Sequence, residues 1–436
     1  MLTPTKTNSA VLRQWLNPGR IFCFTLIVFI LLPAAQAQSG RKADLSDLIV
    51  IGDSVSAGLQ NGSMLATLQV NGYASLVAAQ AGVKLVLPLI APPGIPTVII
   101  SVSIGPPLVI QRAPGPPSPG RTNPSDHPGN LAVPGATVSD ALNARPTCAL
   151  GDFTDLVLGL PDPCLGTGLP LSQIETAETR NPTTIFVWLG SEDALGAAIG
   201  GDSSLLTPPA SFETAFAEVM SRLDATGAKL VVANVPDVTR IPFFTPAPVA
   251  AELFGVPVQT FLLTLGLGPG DLLTPDAFAA IESILLGQAS PPLPSNVVLD
   301  ATEIAAIRSA TQAYNTIIAS QAAAHGSPLV DVAGLYESIQ VKGVVVGGQR
   351  LTAAFFGGIF SLDGIHPTNT GYALIANEFI RALNTNYSAG IPPLSLRQIQ
   401  KSDPLVFPGV GRPASALGTI SPEIVQSLRT VLGKKH

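Results

Sequence analysis

Ser54 stands directly after the apolar run Leu48-Ile49-Val50-Ile51 and the turn residues Gly52-Asp53. A serine that follows a strand and opens a helix presents its hydroxyl outward, but it becomes a nucleophile only beside a base. The chain has four His. His436 is terminal in Lys434-Lys435-His436, and His127 sits in a Pro-rich stretch. His325 closes a helical stretch before Gly326, a position suited to capping. His366 alone has an acid at a useful offset, Asp363, three residues earlier in a turn. That spacing lets a carboxylate hold one ring nitrogen and leaves the other for a hydroxyl, giving the order Ser54, Asp363, His366. On spacing alone the alternative stays open that Asp363 and His366 only satisfy a turn.

Two further segments lie beside predicted strands or loops with chemistry-bearing residues. One is Asn130-Leu131-Ala132-Val133-Pro134-Gly135-Ala136. The other, Trp188-Leu189-Gly190-Ser191-Glu192-Asp193, follows the run that starts at Thr184. In an open parallel sheet, ligands bind beyond the carboxyl ends of the strands. Ser54 and the Ser191–Asp193 segment fall at such ends.

The elements that must position these residues can be read from periodicity. Short apolar runs at 48–51, 83–89, 184–189, 229–233 and 328–332 predict buried strands. Between them, one-sided apolar stripes predict helices over 211–226, 302–325 and 371–383. Strands alternating with helices give an α/β fold, a mostly parallel sheet covered on both faces. Residues 91–130 and 241–300 break the alternation with Pro and Gly, the second holding apolar helical pieces near 258–265 and 276–286. Both are expected as insertions between core elements, of the kind that serve as lids or binding loops. From Ser388 onward the tail is Pro-rich and regains helix character at 421–432.

The N-terminus has the layout of a secretory signal peptide: Lys6, Arg13 and Arg20 without an acid, the apolar run Ile21–Leu32, then Ala35-Gln36-Ala37. The apolar run is too short to span a bilayer, which takes about 20 residues. The expected organisation is therefore a signal peptide over 1–37, a domain over 38–387 and a Pro-rich C-terminal extension over 388–436. Localisation would be secreted or periplasmic, with no stable membrane anchor after cleavage. Loss of three cations takes the net charge from −6 to −9. No basic run of the kind nucleic-acid binders use is present, which argues against DNA or RNA partners. At 46% hydrophobic and 12% charged, the chain is too apolar for disorder. The mature chain keeps Cys148 and Cys164, expected as a disulfide in an oxidising compartment.

Taken in order, Gly52-Asp53-Ser54, Asn130 to Ala136, Gly190 to Asp193 and Asp363-x-x-His366-Pro367 with Thr370-Gly371-Tyr372 resemble the signature blocks of the GDSL-type lipases and esterases of the SGNH hydrolase superfamily. Val235-Pro236-Asp237 with Pro242 is similar to that family's segment after its fourth strand. The resemblance covers roughly Asp47 to Asn384. It implies a three-layer α/β/α sandwich, flavodoxin-like, with about five parallel strands. It implies that Ser54 is the nucleophile, His366 the base and Asp363 its orienting acid. The backbone N–H groups of Ser54 and Gly135 would then be oxyanion donors. Asp53 is expected to bond turn amides. Glu192 departs from the family pattern, which has Asn there as an oxyanion donor. An ionised carboxylate accepts and cannot donate. Glu192 in protonated form, Ser191 or Asn130 would have to take that place, or activity would be lost. The expected function is cleavage of a small-molecule or lipid-like carboxylic ester, with no metal or organic cofactor implied. A non-catalytic ligand-binding member of the fold and an O-acyltransferase with the same triad remain as alternatives.

Overall fold

The computed structural model describes residues 43–103, 109–149 and 151–406. The segment 1–37, expected as a signal peptide, and the predicted helix at 421–432 lie outside the described residues. Four strands, β1 (Leu48–Gly52), β2 (Thr184–Trp188), β3 (Lys229–Ala233) and β4 (Leu329–Val330), form one parallel sheet in the order β1-β2-β3-β4. All residues of β1 and β2 are buried, as a sheet covered on both faces requires. Gly52 pairs with Trp188, so the carboxyl ends of β1 and β2 finish side by side.

The helices that concern the site are α1 (Ser54–Ala57), α2 (Tyr73–Ala81), α3 (Val138–Asn143), α4 (Glu192–Gly200), α5 (Pro209–Asp224), α6 (Ala301–Ala324) and α7 (Asn369–Tyr387). On one face α2 and α7 pack together over β2. Tyr73 and Phe379 have ring centroids 4.5 Å apart, and Phe186 lies 5.0 Å from Phe379. Phe186 and Trp188 are two residues apart on β2 and so share that face. On the other face α5 and α6 stack Phe212 on Tyr314 at 4.3 Å. The start of α6 is set by Asp300, whose side chain accepts the N–H groups of Thr302 and Glu303 while Glu303 reaches back to the Asp300 N–H.

The predicted strand at 83–89 is not one. Pro88 lacks an N–H and cannot complete a ladder. The segment runs alongside residues 129–130 instead, with the Val86 carbonyl accepting the Gly129 and Asn130 N–H groups at 2.9 and 3.1 Å. Asn130 in turn makes an isolated parallel bridge to Val50. The sheet therefore has four strands, and the outer position beside β1 is held by this single bridge. β1 sits between that segment and β2, at the place where the connections change direction. Such switch points are where open α/β sheets bind ligands.

Within residues 91–130 a hairpin forms from Ile99–Ser103 and Val109–Arg112. Within 241–300, Thr245–Pro246, Leu272–Leu273 and Val298–Leu299 make a small antiparallel sheet. Three helices, Ala247–Leu253, Val258–Leu265 and Ala277–Leu285, surround a core of their own that includes Phe261, Leu265 and Ile281. The tail after α7 holds a short helix that sequence reading missed, Leu396–Ser402. Asp403 ties it down by accepting both the N–H and the hydroxyl of Thr370 at 2.7 Å.

Cys148 and Cys164 come together with Cα atoms 5.1 Å apart and sulfurs at 2.10 Å. A cross-link over a sequence separation of 16 removes unfolded-state entropy worth about 3 kcal/mol. The Cys148→Ser/Cys164→Ser double variant of the chain beginning at Gln38 is expected to lose that much in denaturant titration. The unsubstituted chain beginning at Gln38, which lacks Cys23, should show no thiol reactive to DTNB without reductant. Two titratable thiols would remove the bridge.

Candidate active site

The site is assembled at the carboxyl ends of β1 and β2. Asp53 caps α1 by accepting the Val55 N–H at 3.0 Å, and Gly58 closes the single turn at φ 80°. This sharp passage from strand to helix holds Ser54 at the strand end. Its Oγ lies 2.9 Å from His366 Nε2. The other ring nitrogen, Nδ1, lies 2.8 Å from Asp363 Oδ2. All three residues are almost wholly buried, at 1% exposure or less.

The Asp363–His366 loop is held locally. Asp363 Oδ1 accepts the Ile365 and His366 N–H groups at 2.8 Å each and the Ser361 hydroxyl at 3.1 Å. Burial alone would raise the Asp363 pKa, but His366 and these donors hold it below the ordinary carboxylate range. Gly364 sits at φ +71°, and a Cβ there would come within 2.8 Å of the Phe243 nitrogen. That close approach lets the Phe243 N–H reach the Gly364 carbonyl at 2.9 Å. Thr368 then caps α7 by accepting the Gly371 N–H at 3.0 Å.

A second loop, not singled out from sequence, clamps this one. The Gly62 N–H donates to Asp363 Oδ2 at 2.5 Å. Asn61 accepts the Leu362 N–H at 3.0 Å through Oδ1, and its own N–H meets the Ser361 hydroxyl at 2.9 Å. Asn61-Gly62 is a turn dipeptide with both residues at positive φ. The turn was readable, but its contact with residues 300 positions away was not.

The Asn130–Ala136 segment runs along the free edge of β1. The Leu131 N–H bonds the Val50 carbonyl at 2.9 Å, and the Val133 N–H bonds the Gly52 carbonyl at 3.1 Å. Gly135 therefore follows the strand end closely, in a turn at φ +78°. Among the described residues neither the Ser54 nor the Gly135 N–H meets an acceptor. Asn130 is engaged in the fold, with Nδ2 donating to the Ser56 carbonyl at 2.8 Å and Oδ1 accepting the Ala132 N–H at 3.1 Å.

Ser191, Glu192 and Asp193 open α4 beside Ser54, all buried. The Ser191 hydroxyl lies against Asp53. Burial pushes the Asp53 carboxyl up to about 6, opposed by the Val55 N–H, the His366 ring and Ser191. Burial likewise takes Asp193 to about 6, although its Oδ2 accepts the Val138 N–H at 3.0 Å. Glu192 is pushed well above the ordinary carboxylate range by burial first, then by Asp53, Asp193 and Asp140. Neither of its carboxyl oxygens has a hydrogen-bond partner among the described residues.

The remaining described His residues lie elsewhere. His325 is the C-cap residue of α6 and sits 3.1 Å from Asp224. His127 lines a separate cavity of about 400 Å³ with Leu131, Leu158 and Leu169.

No curated protein matches the chain. Solved structures that align over most of its length include the following three. An alpha/beta hydrolase enzyme from the metagenome of Lake Arreo, Spain, is 15% identical, with 77% of this chain and 94% of that one covered at a TM-score of 0.35. An acetylxylan esterase from Geobacillus stearothermophilus, solved as a catalytic mutant, is 10% identical over 77% and 93% at 0.34. An extracellular lipase from Streptomyces rimosus is 15% identical over 78% and 98% at 0.33. Residues 48–379 match the family described as GDSL-like lipase/acylhydrolase. That span begins with β1, runs through both loops that meet at Ser54 and His366, and ends at Phe379 in the aromatic cluster over the sheet. With more than half of its length inside the match, the chain belongs to the GDSL-like lipase/acylhydrolase family.

Proposed function

We propose that the protein is a secreted serine esterase or lipase that cleaves carboxylic esters through an acyl-enzyme. The observation that carries this reading is the continuous hydrogen-bonded line from Asp363 through His366 to Ser54 Oγ, with distances of 2.8 and 2.9 Å. In the first half-reaction Ser54 Oγ bonds to the ester carbonyl carbon while His366 Nε2 takes its proton. The carbonyl oxygen carries the negative charge of the tetrahedral intermediate and is met by the Ser54 and Gly135 N–H groups. Collapse breaks the bond to the alcohol oxygen, which leaves with the proton from His366. In the second half-reaction water adds to the acyl carbon, gives its proton to His366, and the acid leaves as Ser54 recovers the proton. Asp363 stays ionised throughout and holds the Nδ1–H.

Export fits the same reading: the signal-like segment 1–37 would be removed, and the cysteine pair suits an oxidising compartment. Ser54, Asp363 and His366 are all buried, which favours a small or lipid-like ester.

The test is hydrolysis of p-nitrophenyl acetate and butyrate by the chain beginning at Gln38, with product analysis in the presence and absence of an alcohol acceptor. A burst of nitrophenol and stoichiometric labelling of Ser54 by a fluorophosphonate are expected. A folded protein with neither would overturn the proposal, and an ester of the added alcohol as main product would make it an acyltransferase.

A further inference from the structure

We propose that a polar cavity beyond the carboxyl ends of β3 and β4, separate from the triad, is a binding site for a neutral saccharide. The cavity has a volume of about 420 Å³ and is walled by α6, the short helical turn Val238–Arg240 and the helix Val332–Lys342. Val235 and Asp331 line it, and they follow the ends of β3 and β4. Ser54 follows β1 of the same parallel sheet, so both sites use the sheet edge where open α/β folds take ligands. Tyr336 packs edge-on against Phe360 at 5.4 Å, so one wall abuts the Asp363–His366 loop, but no triad residue lines the cavity.

The walls are fixed by hydrogen bonds. Asn315 on α6 holds Val235 from both sides, Oδ1 accepting its N–H and Nδ2 donating to its carbonyl, each at 2.8 Å. Arg308 on the same helix donates through Nε to Asp237 at 3.0 Å and to Thr239 at 3.1 Å. Asp331 Oδ1 accepts from Asn234 Nδ2 at 2.8 Å and from the Gly334 N–H at 2.9 Å. A wall ordered in advance lowers the entropy lost on binding.

The groups left over define the ligand. Tyr336 is 8% exposed and lines the cavity, yet its hydroxyl has no hydrogen-bond partner among the described residues. Buried hydroxyls are almost always paired, so this one takes its partner from what fills the cavity. The terminal nitrogens of Arg308, the Arg240 guanidinium, the Gln312 amide and the Glu337 carboxylate also meet no partner among the described residues. Two arginines stand against Asp237, Asp331 and Glu337, so charge nearly balances and an anion is not selected. Val235 and Ala333 are the only wholly aliphatic side chains in the lining, so an acyl chain has little to pack on. Sugar hydroxyls both donate and accept, and so match phenol, amide, guanidinium and carboxylate groups in one place. They also reproduce the hydrogen bonds of the waters they displace.

Titration calorimetry of the protein with maltose, cellobiose and sucrose tests the inference, with phosphate and citrate as anionic controls. At least one disaccharide is expected to bind at a single site with a Kd of about 1 mM or tighter. Tyr336→Phe should weaken that binding about three- to tenfold, the net loss of one hydrogen bond, and Gln312→Ala by a similar factor. Tyr336→Phe should also keep or raise Tm, because the hydroxyl has no protein partner to lose; a purely structural hydroxyl would lower it. No saturable heat from any of the three sugars overturns the proposal, as does unchanged affinity in both variants. Phosphate or citrate binding in preference to the sugars overturns it in favour of an anion site. The readout is binding, so a failure here leaves the esterase reading standing, and loss of that reading leaves this site untouched.

Discussion

Ser54→Ala and His366→Ala are each expected to lower kcat for ester hydrolysis by about a millionfold, and the double variant should be little worse than either. The reason is that the two groups act as one. Without Oγ there is no atom to form the acyl-enzyme, and without Nε2 at 2.9 Å the hydroxyl keeps its proton. Asp363→Asn is expected to lose less, about 10⁴-fold, mainly by presenting the wrong side of the amide to His366. In this protein it also carries a structural cost. Both Asp363 oxygens accept donors, Oδ1 from Ile365, His366 and Ser361, and Oδ2 from Gly62 and His366 Nδ1. An Asn has one acceptor oxygen, so either orientation turns an NH₂ group against other donors. Tm should therefore fall with Asp363→Asn and hold with Ser54→Ala. The measurements are steady-state turnover corrected by active-site titration, and calorimetry. A Ser54→Ala variant with most of its activity would sink the assignment of the nucleophile.

How much of this could be read before folding depends on whether a signal is local. The helix over 258–265 matches its expected bounds, and the one expected at 302–325 is found at Ala301–Ala324. Periodicity and an Asp300–Glu303 capping pair are local features, and local physics sets those ends. The run at 83–89 failed as a strand because apolar, β-branched composition says that a segment is buried, not that it has a neighbour to pair with. Its Pro88 was the contrary signal. The Asp363–His366 pairing was visible because both residues occupy one turn. The partnership with Ser54 spans 312 positions, and spacing alone left it open until the ordered blocks supported it. Nothing in composition could place Asn61 and Gly62 against Asp363, because that contact exists only once β1 and α7 are packed. Glu192 shows the other limit. Its identity was plain, but its charge state depends on burial and on Asp53, Asp193 and Asp140, which come from three separate stretches of chain.

The same buried carboxyls make the fold sensitive to pH. Asp53 and Asp193 rise from the ordinary 3.8 to about 6 on folding, chiefly through burial. A raised acid pKa means that the folded state binds a proton that the unfolded state has released. The stability from each group is therefore fully present below about pH 4 and lost as pH rises through 6. One pH unit of this linkage is worth 1.36 kcal/mol, so each carboxyl weakens the fold by about 3 kcal/mol at pH 8. The titratable groups facing them are Glu192, whose own pKa is raised, and Asp140, with His366 on the side of Asp53. Asp193→Asn keeps an acceptor for the Val138 N–H and removes the titration. At pH 4 the variant and the wild type should unfold together, because Asn and neutral Asp are alike there. By pH 8 the variant should be more stable by about 3 kcal/mol in urea titration. Asp363, whose pKa is lowered, weakens both proteins alike in acid and cancels from the difference. Parallel stability curves between pH 4 and 8 would show that Asp193 folds without raising its pKa.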